Sequence, residues 1–354
     1  MKGFASLSLA ALVASASAAV VNVNKRETPL TVELTPSGNS EVQIAVTNNG
    51  AKPVNLLSTG TFLDEASPVE KVTMYSAGGS TKVPFEGIKI RLLTSGLSTD
   101  DFLHLDAGES KTVTVETAAL HPLTDGGEFE ILAQGQIPYA EEGSTELAGN
   151  LPYESNKLTM SIDGAIAATV AKAIDLTKRT VLGSSCTGSK LSSVRTALSN
   201  CQRLASSAAS AASSGTKLDT YFKSTSSSTR SAVSGRLRAV ASDCGGSGSA
   251  TSTNCNDPYG GCSSNVLAYT VPSLNFITYC NLFFSALPDL TTSCHAQDKA
   301  TTVLHEETHA PAVYSPGTDD LAYGYSASIR LSTSQALNNA DSFALYANAI
   351  YANC

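Results

Sequence analysis

His305 and His309 enclose Glu306 in the run His305-Glu306-Glu307-Thr308-His309. On an α-helix, residues four apart stand one turn above each other, so both imidazoles can hold one ion. Glu306, one step on, falls beside such an ion rather than on it, where a carboxylate can take a proton from a water. The pattern points to metal-assisted hydrolysis, with zinc as the metal that suits these donors. A catalytic zinc uses three protein ligands and keeps a fourth position open. No Glu or His follows His309, so Asp319, Asp320 and Asp341 are the downstream side-chain donors. Pro311 disfavours helix at Ala310, and Ser315-Pro316-Gly317 supplies a turn able to bring an aspartate back to the metal.

Asp341 falls among Leu337, Ala344, Leu345 and Asn348, on what should be the inward face of a last long helix. A carboxylate there must be paired or solvated. It is a direct ligand, a partner behind a histidine, or a polar packing contact. Glu307 should point away from the metal into solvent. His295 has no companion at ligand spacing and reads as a structural hydrogen-bonding residue, while His104 and His121 read as ordinary surface or partly buried histidines.

These residues need helices to hold them. Leu191, Val194, Leu198, Cys201, Leu204 and Ala208 recur at three- and four-residue steps, as do Val233, Leu237, Val240 and Cys244, so two amphipathic helices are expected. Two more are expected around 296–310 and 334–352, with 255–294 irregular apart from short strands. Upstream, from about 29 to 140, runs such as LTVEL, EVQIAV, KVTMY and KTVTVET alternate between turn residues, the signature of an antiparallel β-sandwich.

The first nineteen residues give a lysine, an apolar run and Ala16-Ser17-Ala18, as in a secretory signal peptide too short to span a bilayer. All eight cysteines lie between Cys186 and Cys354, and in an exported chain an even count points to disulfides. Lys178-Arg179 stands where the cysteine-free part meets the cysteine-bearing part, as a site for a kexin-like processing protease would; Lys25-Arg26 is a second such pair. The formal charge is −8, and within 245–354 there are 2 basic and 8 acidic residues. Any electrostatic preference there is for cationic partners. Neither a nucleic-acid nor a membrane partner is expected.

His305-Glu306-Glu307-Thr308-His309 followed by Gly317-Thr318-Asp319-Asp320-Leu321-Ala322-Tyr323-Gly324 resembles the deuterolysin, or aspzincin, metalloendopeptidases, whose second motif is G-T-x-D-x-x-Y-G. The resemblance extends over 180–354, including the NDPYG turn, the Cys294-His295-Ala296-Gln297-Asp298 run and the ending ALYANAI. It implies that one zinc ion is held by His305, His309 and Asp320, that Glu306 is the general base, that Tyr323 donates to the oxyanion, and that Asp341 orients a zinc-bound histidine. It further implies the pairs Cys186–Cys255, Cys262–Cys280 and Cys294–Cys354. Cys201 and Cys244 depart from the family pattern; if the two early helices form a hairpin, they either bridge or remain buried thiols.

The resulting expectation is an α+β protein in three parts. Residues 1–19 form a signal peptide, 20–179 a β-sandwich-like, cysteine-free propeptide, and 180–354 a mainly α-helical zincin catalytic domain with a small irregular or β region. The product is expected to be secreted and to hydrolyse protein and peptide substrates, with basic proteins favoured. A secreted zinc-binding effector without turnover is the competing reading, against which Glu306 and Tyr323 count; a persistent N-terminal binding module is another, against which the dibasic junction counts.

Overall fold

The structure, a computed structural model, describes residues 28–79, 81–176, 185–246 and 250–354. Residues 1–19, where a signal peptide is expected, and both dibasic pairs, Lys25-Arg26 and Lys178-Arg179, lie outside the described residues. The fold is mixed α/β, with several small sheets in the first half and most of the helix in the second.

Alternation builds the first half. In β1 (Leu30–Pro36), Leu30, Val32 and Leu34 are buried while Thr31 and Glu33 are exposed, the period of two that lets a strand bury one face. β1 pairs with β2 (Glu41–Asn48), and β2 with β7 (Ser110–Glu116), setting Leu34 opposite Ile44 and Ile44 opposite Val113. A second sheet has the order β10 (Leu147–Glu154), β9 (Gln134–Ala140), β3 (Val54–Leu57), β6 (Phe102–Leu105). A third has the order β11 (Leu158–Ile162), β8 (Gly127–Leu132), β4 (Thr73–Ser76). All pairings in these three sheets are antiparallel. Leu34, Ile44, Leu56, Met74, Ile131 and Ile137 meet in their shared core. A short helix, α1 (Gly164–Ala167), follows.

In the second half α2 (Gly188–Ser214) runs for 27 residues and ends at Gly215, whose φ of 85° suits a residue without Cβ. After α3 (Leu218–Phe222) the chain returns as α4 (Ser227–Cys244), packed along α2. Val194, Ala197, Cys201, Leu204 and Ala208 face Val233, Leu237, Val240 and Cys244. The expected hairpin is present, and Cys201 is bonded to Cys244. The other bonds are Cys186–Cys255, Cys262–Cys280 and Cys294–Cys354.

A fourth sheet joins the two halves, in the order β12 (Ser252–Asn254), β14 (Phe276–Tyr279), β13 (Val266–Val271), β5 (Lys89–Leu92). β5 comes from the first half and runs antiparallel to β13. β5 lies in IKIRLL, another of the alternating runs between 29 and 140, yet nothing local in it indicates a partner more than 170 residues away.

After α5 (Asn281–Ala286), the central helix is α6 (Lys299–His309). Asp298 caps it by accepting from the Thr301 amide, in a reciprocal capping box, and also accepts from the Thr291 amide. The chain leaves helical geometry at Ala310, just before Pro311. α6 packs against α2, α4, β13, β5 and α9 (Ala340–Ala352), and all eleven of its residues are buried. The C-terminal helix begins later than expected. α7 (Tyr325–Ser328) and α8 (Thr333–Leu337) precede it, and the chain breaks at Asn338-Asn339, where it is stitched to the segment carrying Asp319. Among the described residues, no helix is long and apolar enough to cross a membrane.

Candidate metal centre

α6 brings His305 and His309 onto one face, with their Nε2 atoms 3.2 Å apart. Asp320 Oδ1 lies 3.2 Å from one of these nitrogens and 3.3 Å from the other. Among the described residues these three form the cluster able to hold a metal ion. A tetrahedral ion with bonds of about 2.0 Å has edges of about 3.3 Å, which this triangle matches.

Protons give a second test of the fit. His309 Nδ1 is 2.9 Å from the carbonyl of Thr318, which only accepts, so Nδ1 carries the hydrogen and Nε2 offers a lone pair. His305 Nδ1 is 3.1 Å from Asp341 Oδ1, and the same reasoning applies. Three acceptor atoms therefore converge, an arrangement that needs a cation among them. Burial, then the guanidinium of Arg91, drives His305 down to about 3, so its ring is neutral. Burial would also lower His309, but Asp320 prevails and raises it. Burial opposes ionisation of Asp320, yet His309 and His305 hold it well below the ordinary carboxylate range. A dication held there would take the place of the proton that Asp320 favours on His309.

The return of Asp320 depends on residues that only the folded chain explains. A Cβ on Gly317 would stand 2.2 Å from the carbonyl oxygen of His309, so the segment can pass the end of α6 only with glycine there. Thr318 Oγ1 is 2.8 Å from Thr308 Oγ1, while its carbonyl holds His309. Gly324, at φ 77°, donates its amide to Asp341 Oδ2 at 2.6 Å. Asn339 Oδ1 accepts from the amides of Leu321 and Ala322, both at 3.0 Å. Asp341 thus stands behind His305, on the ring nitrogen that faces away from the triangle.

Glu306 is fully buried, and burial pushes its carboxyl up to about 8. Thr270 on β13 donates to Oε2 at 2.6 Å, and among the described residues Oε1 has no hydrogen-bond partner. Tyr323 donates its hydroxyl to the carbonyl of Ile90 at 2.9 Å, and burial, then Asp320, raises that hydroxyl well above its ordinary value.

One acid and one histidine differ from expectation. Glu307 is not solvated: it is buried, accepts from Thr251 Oγ1 at 3.2 Å, and is raised well above the carboxylate range by burial and then by Asp243. The expectation assumed α6 had a solvent face, and it has none. His121 is fully rather than partly buried, close to the Pro84 carbonyl, whereas His104 is exposed. His295 has the expected structural role, 2.7 Å from the Tyr221 hydroxyl and stacked on Tyr325.

Four residues around the centre were not singled out from sequence. Thr270 is one. Arg236 on α4 donates to the carbonyls of Thr308 and Pro316 at 3.1 and 2.8 Å, tying the end of α6 to the returning segment. Its spacing of three from Val233 put it on the apolar face of α4, and a cation there was the available signal. Lys89 and Arg91 come from β5. Lys89 and Lys82 pair with Asp319 and Glu70, and Arg91 pairs with Asp341.

Compared with known sequence families, the whole chain, residues 1–354, matches the deuterolysin metalloprotease (M35) family. It is 70% identical to a neutral protease 2 homolog of Phaeosphaeria nodorum over 354 residues, 100% of both chains. It is 48% identical to neutral protease 2 of Aspergillus oryzae over 329 residues, 92% of each chain. Against a neutral protease 2 homolog of Botryotinia fuckeliana the identity is 48% over 354 residues, 98% of each chain.

Proposed function

The chain belongs to the deuterolysin metalloprotease family and is a metalloendopeptidase, and from that premise we propose that it is a secreted zymogen whose unit 180–354 hydrolyses internal peptide bonds with a single zinc ion. The observation that carries this reading is the triangle of His305 Nε2, His309 Nε2 and Asp320 Oδ1, with edges of 3.2 to 3.3 Å, beside a Glu306 Oε1 that has no hydrogen-bond partner among the described residues. When bound, zinc supplies a Lewis acid that brings the acidity of a water toward neutrality and polarises a carbonyl.

The protein's own groups do the rest. Thr270 fixes Oε2 of Glu306, which leaves Oε1 to take the proton from the attacking water and then deliver it to the leaving amine nitrogen. Tyr323 adds a hydroxyl donor for the developing oxyanion without adding a fixed charge. Asp341 keeps the His305 ring in the tautomer that offers Nε2. Burial holds the Glu306 carboxyl at about 8, and a cation held by His305, His309 and Asp320 would favour its ionised, base-competent form.

Residues 1–19 are read as the signal peptide and 20–179, the region of the first three sheets, as a prosegment severed by a kexin-like protease after Arg179. The product of wild-type secretion should begin at Thr180, contain one zinc and digest casein, whereas replacing Arg179 should give a precursor of full pro-length with little activity. Mass spectrometry, zinc analysis and the casein assay read these together. An active product that retains residues well upstream of Thr180 would remove the processing reading.

Basic proteins are the proposed preferred substrates. Within 245–354 eight acids stand against two bases, and the field of that excess favours cationic partners. Rates on a basic unfolded protein should exceed those on an acidic one at low salt and converge as salt screens the field. Equal rates at low salt would exclude the electrostatic origin.

A further inference from the structure

The cleft beside the triangle holds a peptide strand of the same chain. β5 lies antiparallel along β13, with Lys89 opposite Thr270, Ile90 opposite Tyr269 and Arg91 opposite Ala268. An extended peptide adds to an open sheet edge in this way. All four residues of β5 are buried. Tyr323 donates to the Ile90 carbonyl, so the Ile90–Arg91 peptide bond sits on the hydroxyl proposed to receive a substrate's oxyanion.

The Arg91 side chain reaches behind the His305 ring, to the side that faces away from the triangle. Its guanidinium pairs with Asp341 and lies 3.0 Å from His305 Nδ1. A guanidinium only donates, so Arg91 and the His305 N–H draw on the same carboxylate. On either side the strand is pinned. Lys89 and Lys82 pair with Asp319, at 2.8 and 2.7 Å. Beyond β5, the Leu93 amide donates to the Asn265 carbonyl at 2.8 Å, and Gln297 Nε2 to the Leu92 carbonyl at 2.8 Å. Beneath it, Ile88, Ile90 and Leu92 share an apolar cluster with Val266, Tyr269 and Phe276. None of these contacts runs through the junction at Lys178-Arg179, so cutting the chain there breaks none of them.

We propose that the cleaved N-terminal unit stays bound as a reversible inhibitor of its own catalytic unit, with β5 in the place of an extended peptide substrate and Arg91 as its anchor. This rests on the protease reading above, and reaches beyond it in making the released segment a partner whose dissociation, not the cut itself, frees the cleft.

The full chain, cut at Lys178-Arg179 by a dibasic-specific protease with both fragments left together, tests this. The fragments should co-elute in gel filtration, and specific activity on a small peptide substrate should rise on dilution. Arg91→Ala, which leaves Asp341 without its cation, should weaken the complex by about tenfold or more, and Arg91→Lys by less. Should the Arg91→Ala chain fail to fold, a synthetic peptide of residues 86–95 serves instead. Added to diluted wild-type enzyme, it should compete with substrate, and its Arg91→Ala version should compete about tenfold less well. Fragments that part on cleavage, with activity independent of concentration and the two peptides equivalent, would overturn the proposal. A cut chain that binds zinc but never hydrolyses, while its fragments co-elute and Arg91→Ala separates them, would sink the protease reading and leave the inhibitor contact standing.

Discussion

Glu306→Gln should leave zinc bound and lower hydrolysis by about 10³-fold, near the middle of what a positioned acid–base group contributes. The metal is retained because the three converging atoms belong to His305, His309 and Asp320, and Glu306 supplies none of them. Glutamine is nearly isosteric, and its amide can still accept from Thr270, so the packing of α6 against β13 survives. What disappears is a carboxylate oxygen able to hold and pass on a proton. His305→Ala is the contrast: it should lose both metal and activity, since it removes a ligand and leaves Asp341 and Arg91 without the ring between them and the triangle. Zinc content by elemental analysis and turnover on a peptide, measured on the same cleaved preparations, separate the two effects. Turnover within about tenfold of wild type in a zinc-loaded Glu306→Gln protein would remove the general-base assignment.

Local chemistry made α6 legible. Two histidines at helical spacing, an aspartate able to cap at Asp298 and a proline after Ala310 each act within a turn or two of chain, so their signals survive in the sequence. The apolar rows that carry Cys201 and Cys244 were legible for the same reason, although periodicity could not say whether those two sulfurs were joined. Glu307 shows where this reasoning fails. A helix is assumed to turn one face to water, but α6 is enclosed by three helices and two strands, and a carboxyl on its outer side meets Asp243 instead of solvent. Lys89 and Arg91 fail differently. Alternation placed them in a strand, and their ionic partners, Asp319 and Asp341, lie some 230 to 250 residues further along the chain. No local pattern encodes a pairing of that range, because it is fixed only when two separately built units meet.

Asp320→Ala should cost far more zinc affinity than Asp341→Ala, with hydrolysis impaired in both. Asp320 Oδ1 stands within 3.3 Å of the Nε2 atoms of both His305 and His309, so its loss would remove one corner of the triangle and the negative charge that would balance an ion there. Asp341 touches the centre only through His305 Nδ1, and losing a partner in that position typically costs about 10–100-fold in affinity or activity. The two substitutions also differ in collateral damage. Asp341 accepts the Gly324 amide at 2.6 Å and holds Arg91, so Asp341→Ala should loosen the contact with β5 as well as the His305 ring. Asp341→Asn, which can still accept from His305 Nδ1, should recover part of the zinc affinity while leaving Arg91 unpaired. Competition with a graded series of chelators measures the affinities, and co-elution of the cleaved fragments measures the contact with β5. Equal zinc affinity in Asp320→Ala and wild type, with Asp341→Ala metal-free, would transfer the third ligand to Asp341 and with it the role of the turn that Gly317 and Thr318 build.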